Sequence, residues 1–148
     1  MKINTKYNGE MELKEEDILH FEKGIPGFPS QTKFVQVPLT EDGLFQVLQS
    51  VTDAEIGFII TDPFFYKKDY DFVLEDGVVE SLEIQRTEEI KVSVIITPHE
   101  PFNESTANLQ APVIINKNNN KARQVILTNT TYLTKHPLFA EESVSVKE

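Results

Sequence analysis

Val113-Ile-Ile-Asn-Lys-Asn-Asn-Asn-Lys-Ala-Arg-Gln-Val-Ile-Leu127 sets two β-branched runs on either side of three consecutive asparagines. Asparagine accepts turn backbone and hydrogen-bonds its own chain. Val113-Ile-Ile115 and Gln124-Val-Ile-Leu127 are therefore read as the arms of an antiparallel hairpin with an Asn-rich tip. The two lysines of that tip are ordinary solvating residues. Upstream, Ile90-Lys-Val-Ser-Val-Ile-Ile96 alternates and then becomes wholly apolar, as a strand entering a core does. Ile56-Gly-Phe-Ile-Ile60 is nearly continuous, and Phe34-Val-Gln-Val37 stops at Pro38. Ile3, Thr5 and Tyr7 alternate up to a turn at Asn8-Gly9, after which Met11 and Leu13 share a face. Seven or eight short strands with tight connections predict an all-β, mainly antiparallel fold, a small barrel-like domain or a sandwich.

Helix signals are few. Asp76-Gly-Val-Val-Glu-Ser-Leu-Glu-Ile84 places Val78, Val79 and Leu82 on one helical face with Asp76 as N-cap, although the same residues could pair as a strand. Asp62-Pro63 can open a single helical turn. Lys14-Glu-Glu-Asp17 reads as a solvated stretch ahead of Ile18, Leu19 and Phe21. One domain is expected over 1–139. The tail 140–148 (AEESVSVKE) has little to pack and is expected to fray.

Composition bounds the function. The 148 residues carry 14 basic and 24 acidic side chains, a net charge of −10, with 39% hydrophobic residues and ten Phe to fill a core. No window approaches the roughly 18 apolar residues of a membrane span, and no apolar leader opens the chain. A cytoplasmic protein without a membrane partner is expected. There is no Cys, which excludes disulfides and thiolate chemistry. The negative field repels phosphate backbones and other copies of the chain, so direct nucleic-acid binding is not expected and a monomer is. The same field favours encounter with basic protein surfaces.

Signals for chemistry are weak. His20, His99 and His136 lack metal-ligand spacing, so neither a metal nor another cofactor is expected. Glu15/Glu16, Glu88/Glu89 and Glu141/Glu142 are adjacent pairs, which on a strand point to opposite faces and make poor catalytic dyads. No phosphate loop and no nucleophile elbow occur, so no catalytic residue is assigned. Two loops are more informative. Phe21-Glu-Lys-Gly-Ile-Pro-Gly-Phe28-Pro29 joins two Gly and two Pro to bulky apolar residues. It either tucks Ile25 and Phe28 into the core or presents them as a rigid knob. Asp62-Pro-Phe-Phe-Tyr66 with Asp69-Tyr70 packs four aromatics into seven residues, more than a loop easily buries. An aromatic cluster rimmed by Asp suits a protein hot spot.

At these segments the sequence closely resembles the FliW family of flagellar assembly factors, from the opening strand to about Phe139. The matching blocks are Phe21-x-x-Gly24-Ile-Pro-Gly-Phe28, Leu48-Gln-Ser50, Asp62-Pro-Phe-Phe with Asp69-Tyr70, and Ile96-Thr-Pro98. Thr106-Ala-Asn-Leu-Gln-Ala-Pro112-Val-Ile-Ile-Asn116 and Gln124-Val-Ile-Leu127 closing on Tyr132 complete them. Asn118-Asn-Asn120 departs from the family at the hairpin tip, where variation is expected. The resemblance implies a β-barrel-like regulator without catalytic activity. It would bind the RNA-binding translational repressor CsrA outside its RNA-contacting surface, and exchange it for cytoplasmic flagellin. Flagellin synthesis would then follow filament assembly. The candidate binding residues are Ile25, Phe28, Phe64, Phe65, Tyr66 and Tyr70, with Asp62 and Asp69 as a charged rim and Asn108 and Leu109 behind them. Two readings compete: a small-ligand-binding β-barrel or a hydrolase using Asp62, His99 or His136, and a chaperone that only shields flagellin.

Overall fold

Side chains alternate across each strand, and here both faces of the sheet turn out apolar, which dictates everything wrapped around it. The computed structural model describes residues 1–139. Along them run β1 (Lys2–Thr5), β2 (Gly9–Glu12), β3 (Leu19–His20), β4 (Lys33–Pro38), β5 (Phe45–Ser50), β6 (Gly57–Thr61), α1 (Pro63–Tyr66) and α2 (Asp76–Ser81). β7 (Ile90–Thr97), β8 (Thr106–Ala107), β9 (Val113–Asn116), β10 (Ala122–Gln124) and β11 (His136–Pro137) follow. Setting aside the three two-residue strands leaves eight, in line with the rhythm of the sequence.

Seven strands pair in the order β10-β9-β7-β6-β5-β4-β3, every neighbour antiparallel. The two ends then meet. A parallel bridge joins His20 to Lys121, and the His20 N–H donates to the Asn120 carbonyl at 2.8 Å. The sheet thus closes into a small barrel, with no open edge left between β3 and β10. β7 is the longest strand and the hub. Its first half pairs with β9, and its second half lies between β6 and β8.

The lumen is filled with side chains. Leu19, Phe21, Ile25, Phe34, Leu48, Ile60, Val113, Ile115 and Ala122 form one buried cluster, joined by Phe58 and Ile95. Strand residues of the opposite parity form three further clusters on the outer wall. Val35, Val37 and Val47 are covered by Ile3, Met11 and Leu13 of the β1–β2 hairpin and by Ile18. Ile114 and Val92 are covered by Val78 of α2 and by Leu82, its C-cap. Phe45, Ile59, Val94 and Ile96 are covered by Tyr66, Tyr70, Leu109 and Leu138. Burying each such large apolar side chain is worth about 1.5–3 kcal/mol, so the covers are as necessary as the barrel.

Several expectations shift. Phe45-Gln-Val-Leu-Gln-Ser50 escapes periodicity because glutamines interrupt it, yet it is a central strand. The structure gives both amides a partner. Gln46 Oε1 accepts from Gln36 Nε2 at 3.0 Å. Gln49 is fully buried: its Oε1 accepts from the Lys6 N–H at 2.9 Å, and its Nε2 donates to carbonyls of Ser50 and Ile56 at 3.1 and 3.2 Å. The helix over 76–81 forms, but Glu75 is its N-cap and Asp76 its first helical residue, with no side-chain cap. Tyr7 lies in the turn after β1, exposed. The second hairpin arm is β10 rather than 124–127. Val125 and Leu127 continue the antiparallel pairing off-strand, their N–H groups donating to Pro112 and Gln110 carbonyls at 2.9 and 2.8 Å.

The Asn-rich tip is exposed at Lys117 and Asn118, yet it is also an anchor. Asn116 is buried, and its Nδ2 donates to the Leu82 carbonyl at 2.8 Å, which ties the hairpin to the end of α2. Asn120 Nδ2 donates to the Glu16 carbonyl at 2.7 Å, and Lys121 pairs with Glu83. The 3₁₀ turn Glu15–Asp17 is exposed, as its composition requires. The tail expected to fray, 140–148, lies outside the described residues.

Gly24 (φ +72°) is the tightest point of the loop that plugs one end of the lumen with Ile25. A Cβ there would sit 2.5 Å from the Phe28 carbonyl oxygen and 2.7 Å from that of Pro29. At Gly27 (φ +90°) it would meet only open space. Gly27→Ala is expected to cost about 1–3 kcal/mol from backbone strain, and Gly24→Ala clearly more, in urea unfolding monitored by circular dichroism. Equal losses at the two positions would contradict this packing.

Candidate functional site

Asp62 follows β6 and starts the aromatic turn as the N-cap of α1. Its Oδ1 accepts the Phe64 N–H at 2.8 Å, and Pro63 takes the first helical position, buried, where no N–H is needed. After one turn the Lys67 N–H donates to the Pro63 carbonyl and the Tyr70 N–H to that of Lys67, at 2.9 and 3.0 Å. This geometry splays the aromatics to two sides. Phe64 leans on Tyr70 with ring centroids 5.8 Å apart, while Phe65 sits edge-on to Tyr66 at 5.1 Å. Tyr66 touches Phe45 and Phe139, and Phe102 touches the same two rings at 5.3 and 6.2 Å. Phe65 is 59% exposed, and Phe64 and Phe102 are 41% exposed. Together they form an aromatic ledge built on the wall of the barrel, rigid because its rings brace one another.

Tyr70 is not part of that surface. It is buried, its hydroxyl donates to the Leu109 carbonyl at 2.7 Å, and its ring packs on Tyr132 at 4.7 Å and on Phe72. Burial, then the neighbouring Tyr132, pushes its phenol well above the ordinary range. Leu109 and Ile25 are likewise core side chains, the first in the outer-wall cluster beside Tyr70 and the second in the lumen. Tyr70 and Leu109 thus lie beneath the ledge, and Ile25 inside the barrel. Asn108 is half-buried and bends the chain, its Oδ1 accepting the Gln110 and Ala111 N–H groups at 3.2 and 3.0 Å. Asp69 is exposed and pairs with Lys67 at 3.0 Å, which holds its carboxyl below the usual range. Phe28 is partly exposed but stands on another loop, edge-on to Phe58 at 5.7 Å.

The candidates therefore separate into a ledge (Asp62, Phe64, Phe65, Tyr66, Asp69), its support (Tyr70, Asn108, Leu109) and a second loop (Ile25, Phe28). Phe102 and Phe139 complete the ledge without having been singled out in the sequence. Pro101-Phe102 carries the same proline–aromatic signature as Pro63-Phe64, and that signal was available.

Two clefts open at the barrel mouths. The larger, about 780 Å³, lies between the Gly24–Pro29 loop and β10, with Lys23, Lys121 and Arg123 on its rim. The other, about 510 Å³, runs beside the ledge between Phe64, Phe65 and Lys91. A third cleft of about 370 Å³ separates the β1–β2 hairpin from β4. Of Asp62, His99 and His136, these clefts take only Asp62 to their walls, so the constellation that a hydrolase reading requires does not assemble in them. Among the described residues no group of three or more His, Asp or Glu side chains is placed to hold a metal. No helix among them is long and apolar enough to cross a membrane.

These features define a class: small, side-chain-filled antiparallel barrels whose covering segments carry the exposed aromatics. Comparison with known proteins makes the assignment particular. The family model described as "FliW protein" matches residues 2–138. The flagellar assembly factor FliW of Bacillus subtilis is 48% identical over 95% of this chain and 99% of its own length. That of Clostridium novyi is 43% identical over 95% of this chain and 99% of its own. A crystal structure of the flagellar assembly factor FliW superposes with a TM-score of 0.89 at 44% identity, covering 93% of this chain and 96% of that one. The chain belongs to the FliW family.

Removing the Tyr70 hydroxyl leaves the Leu109 carbonyl without its partner. Tyr70→Phe is expected to cost about 1–3 kcal/mol at pH 7 in denaturant unfolding. In the unfolded chain a tyrosine ionises near pH ~10, below the raised folded value, so wild-type stability falls as pH rises beyond that point. The same variant should show a flatter alkaline decline. An unchanged decline would mean that another group carries it.

Proposed function

We propose that this chain is a cytoplasmic flagellar assembly factor that acts by binding, as a monomer, and not by catalysis. The reading rests on one observation: a braced aromatic ledge stands exposed on a body of net charge −10. The ledge suits an apolar face of a protein partner, because ordered rings lose little entropy on docking. The charge suits a basic one.

The two proposed partners divide along those lines. CsrA is the basic, RNA-binding repressor. An acidic domain docked beside its RNA site lowers RNA affinity by placing negative potential near the incoming phosphates, without covering the site. Flagellin brings helical termini that are otherwise buried in the filament, and an apolar helix face laid along Phe64, Phe65 and Phe102 would hold it. Accumulating flagellin then displaces CsrA, which represses flagellin translation, and export of flagellin reverses the exchange. In this reading one small protein couples synthesis to assembly.

Calorimetric titration with CsrA, repeated after saturation with flagellin, tests the exchange. The expected result is binding that disappears once flagellin is present. Binding that persists refutes exchange, and absence of binding to either protein refutes the whole reading. The double variant Phe65→Ala/Phe102→Ala should still fold, since the rings are 59% and 41% exposed and neither belongs to a buried cluster. It should nonetheless lose at least about tenfold in flagellin affinity, equivalent to ~1.4 kcal/mol. Raising the salt concentration should weaken CsrA binding more steeply than flagellin binding.

A further inference from the structure

Lys91 sits where a cation is poorly served. It alternates along β7 with Ser93 and Ile95 and pairs with Ile115 of β9, so it stands on the lumen side of the barrel at one open end. It is partly buried, and burial lowers its affinity for a proton, opposed by the charge of Asp62 and reinforced by that of Lys117. Its ammonium makes no hydrogen bond and no ion pair with any described residue. Asp62 has an oxygen committed to capping α1. Once a partner covers this cleft, the three donors of Lys91 lose water and need an acceptor.

The walls around it specify what would satisfy it. Phe64, Phe65, Ile60, Gln46, Ser93 and Lys117 line the 510 Å³ mouth with it. Lys91, Lys117 and Asp62 give this mouth a local charge of +1 on a protein of −10. A polyanion would meet the repulsion of the whole body, whereas a single carboxylate with apolar neighbours meets the two lysines beside Phe64 and Phe65. The mouth is also continuous with the ledge through Phe64 and Phe65.

We propose that this mouth is a carboxylate pocket, taking an acidic side chain or chain end borne on the apolar segment of the protein partner that covers the ledge, with Lys91 as its counter-charge. The inference rests on the binding role proposed above and adds the chemistry that selects the bound segment. An apolar helix without an acid at the right point would cover the ledge and leave Lys91 unpaired, which is a penalty against wrong partners.

A small probe tests the pocket without any partner. In two-dimensional ¹H–¹⁵N NMR titrations, 3-phenylpropionate is expected to shift the Lys91, Ser93 and Phe65 amides and to bind at least fivefold tighter than neutral 3-phenylpropanamide. Lys91→Met should erase that preference, and Lys91→Arg should keep most of it. Equal binding of acid and amide, or a preference that survives in Lys91→Met, overturns the pocket. In the calorimetry above, Lys91→Met is expected to weaken the partner on the ledge about tenfold while Lys91→Arg stays within about threefold. Wild-type affinity in both variants overturns the partner's use of the pocket. If the wild-type chain binds neither protein, the role proposed above fails and the probe titration alone decides the pocket.

Discussion

A sheet that is apolar on both faces must be covered twice, and that requirement organises this molecule. Closing the strands into a barrel hides the inner face, with Phe34, Leu48, Ile60 and Val113 filling the lumen. It does nothing for Val47, Val94 or Ile114 on the outer wall. Each outer patch therefore recruits a different stretch of chain: the β1–β2 hairpin, α2, or the segment from α1 through Tyr70 with the chain around Leu109 and Leu138. Buried polar groups pin these covers at set places. Gln49 receives the hairpin at Lys6, Asn116 receives the end of α2 at Leu82, and Tyr70 receives the chain at Leu109. A polar bond inside an apolar shell tolerates little displacement, because leaving either partner unmade is costly.

Function grows from the covers. A short segment that must bury Tyr66 and Tyr70 on the outer wall cannot also bury Phe64 and Phe65 on the same side, since one helical turn spreads its side chains around an axis. The exposed rings are thus a geometric consequence of how α1 is held, and Phe102 joins them through Tyr66's own neighbours, Phe45 and Phe139. The barrel supplies rigidity, and the covers supply the surface. The same logic separates the ledge from the Gly24–Pro29 loop, which plugs the other end with Ile25 and shows only Phe28.

Much was legible in the sequence. Strand rhythm, the 113–127 hairpin, the single turn opened by Asp62-Pro63 and the helix near Val78 follow from local periodicity and capping chemistry, which act over a few residues. Family blocks single out segments that mix exposed and buried side chains: Phe64, Phe65 and Phe28 reach the surface, whereas Ile25, Tyr70 and Leu109 are buried. Local pattern says that an aromatic is in a loop, not whether another stretch of chain will lie on it. Phe45–Ser50 escapes because periodicity treats glutamine as polar, whereas the carbonyls of the following turn and the distant Lys6 N–H make Gln49 at home in a core.

What the sequence alone determined is the class: an acidic, cysteine-free, antiparallel β domain with too many loop aromatics to hide. Tertiary structure decided the rest. Which parity of side chains faces the lumen, that the Asn-rich tip is a clasp, that Phe102 and Phe139 join the ledge and that Lys91 stands at a mouth all depend on closure between His20 and Lys121. Those two residues lie about a hundred positions apart in the chain. When both faces of a strand are apolar, alternation cannot say which is inside. Only the long-range pairing that closes the sheet can.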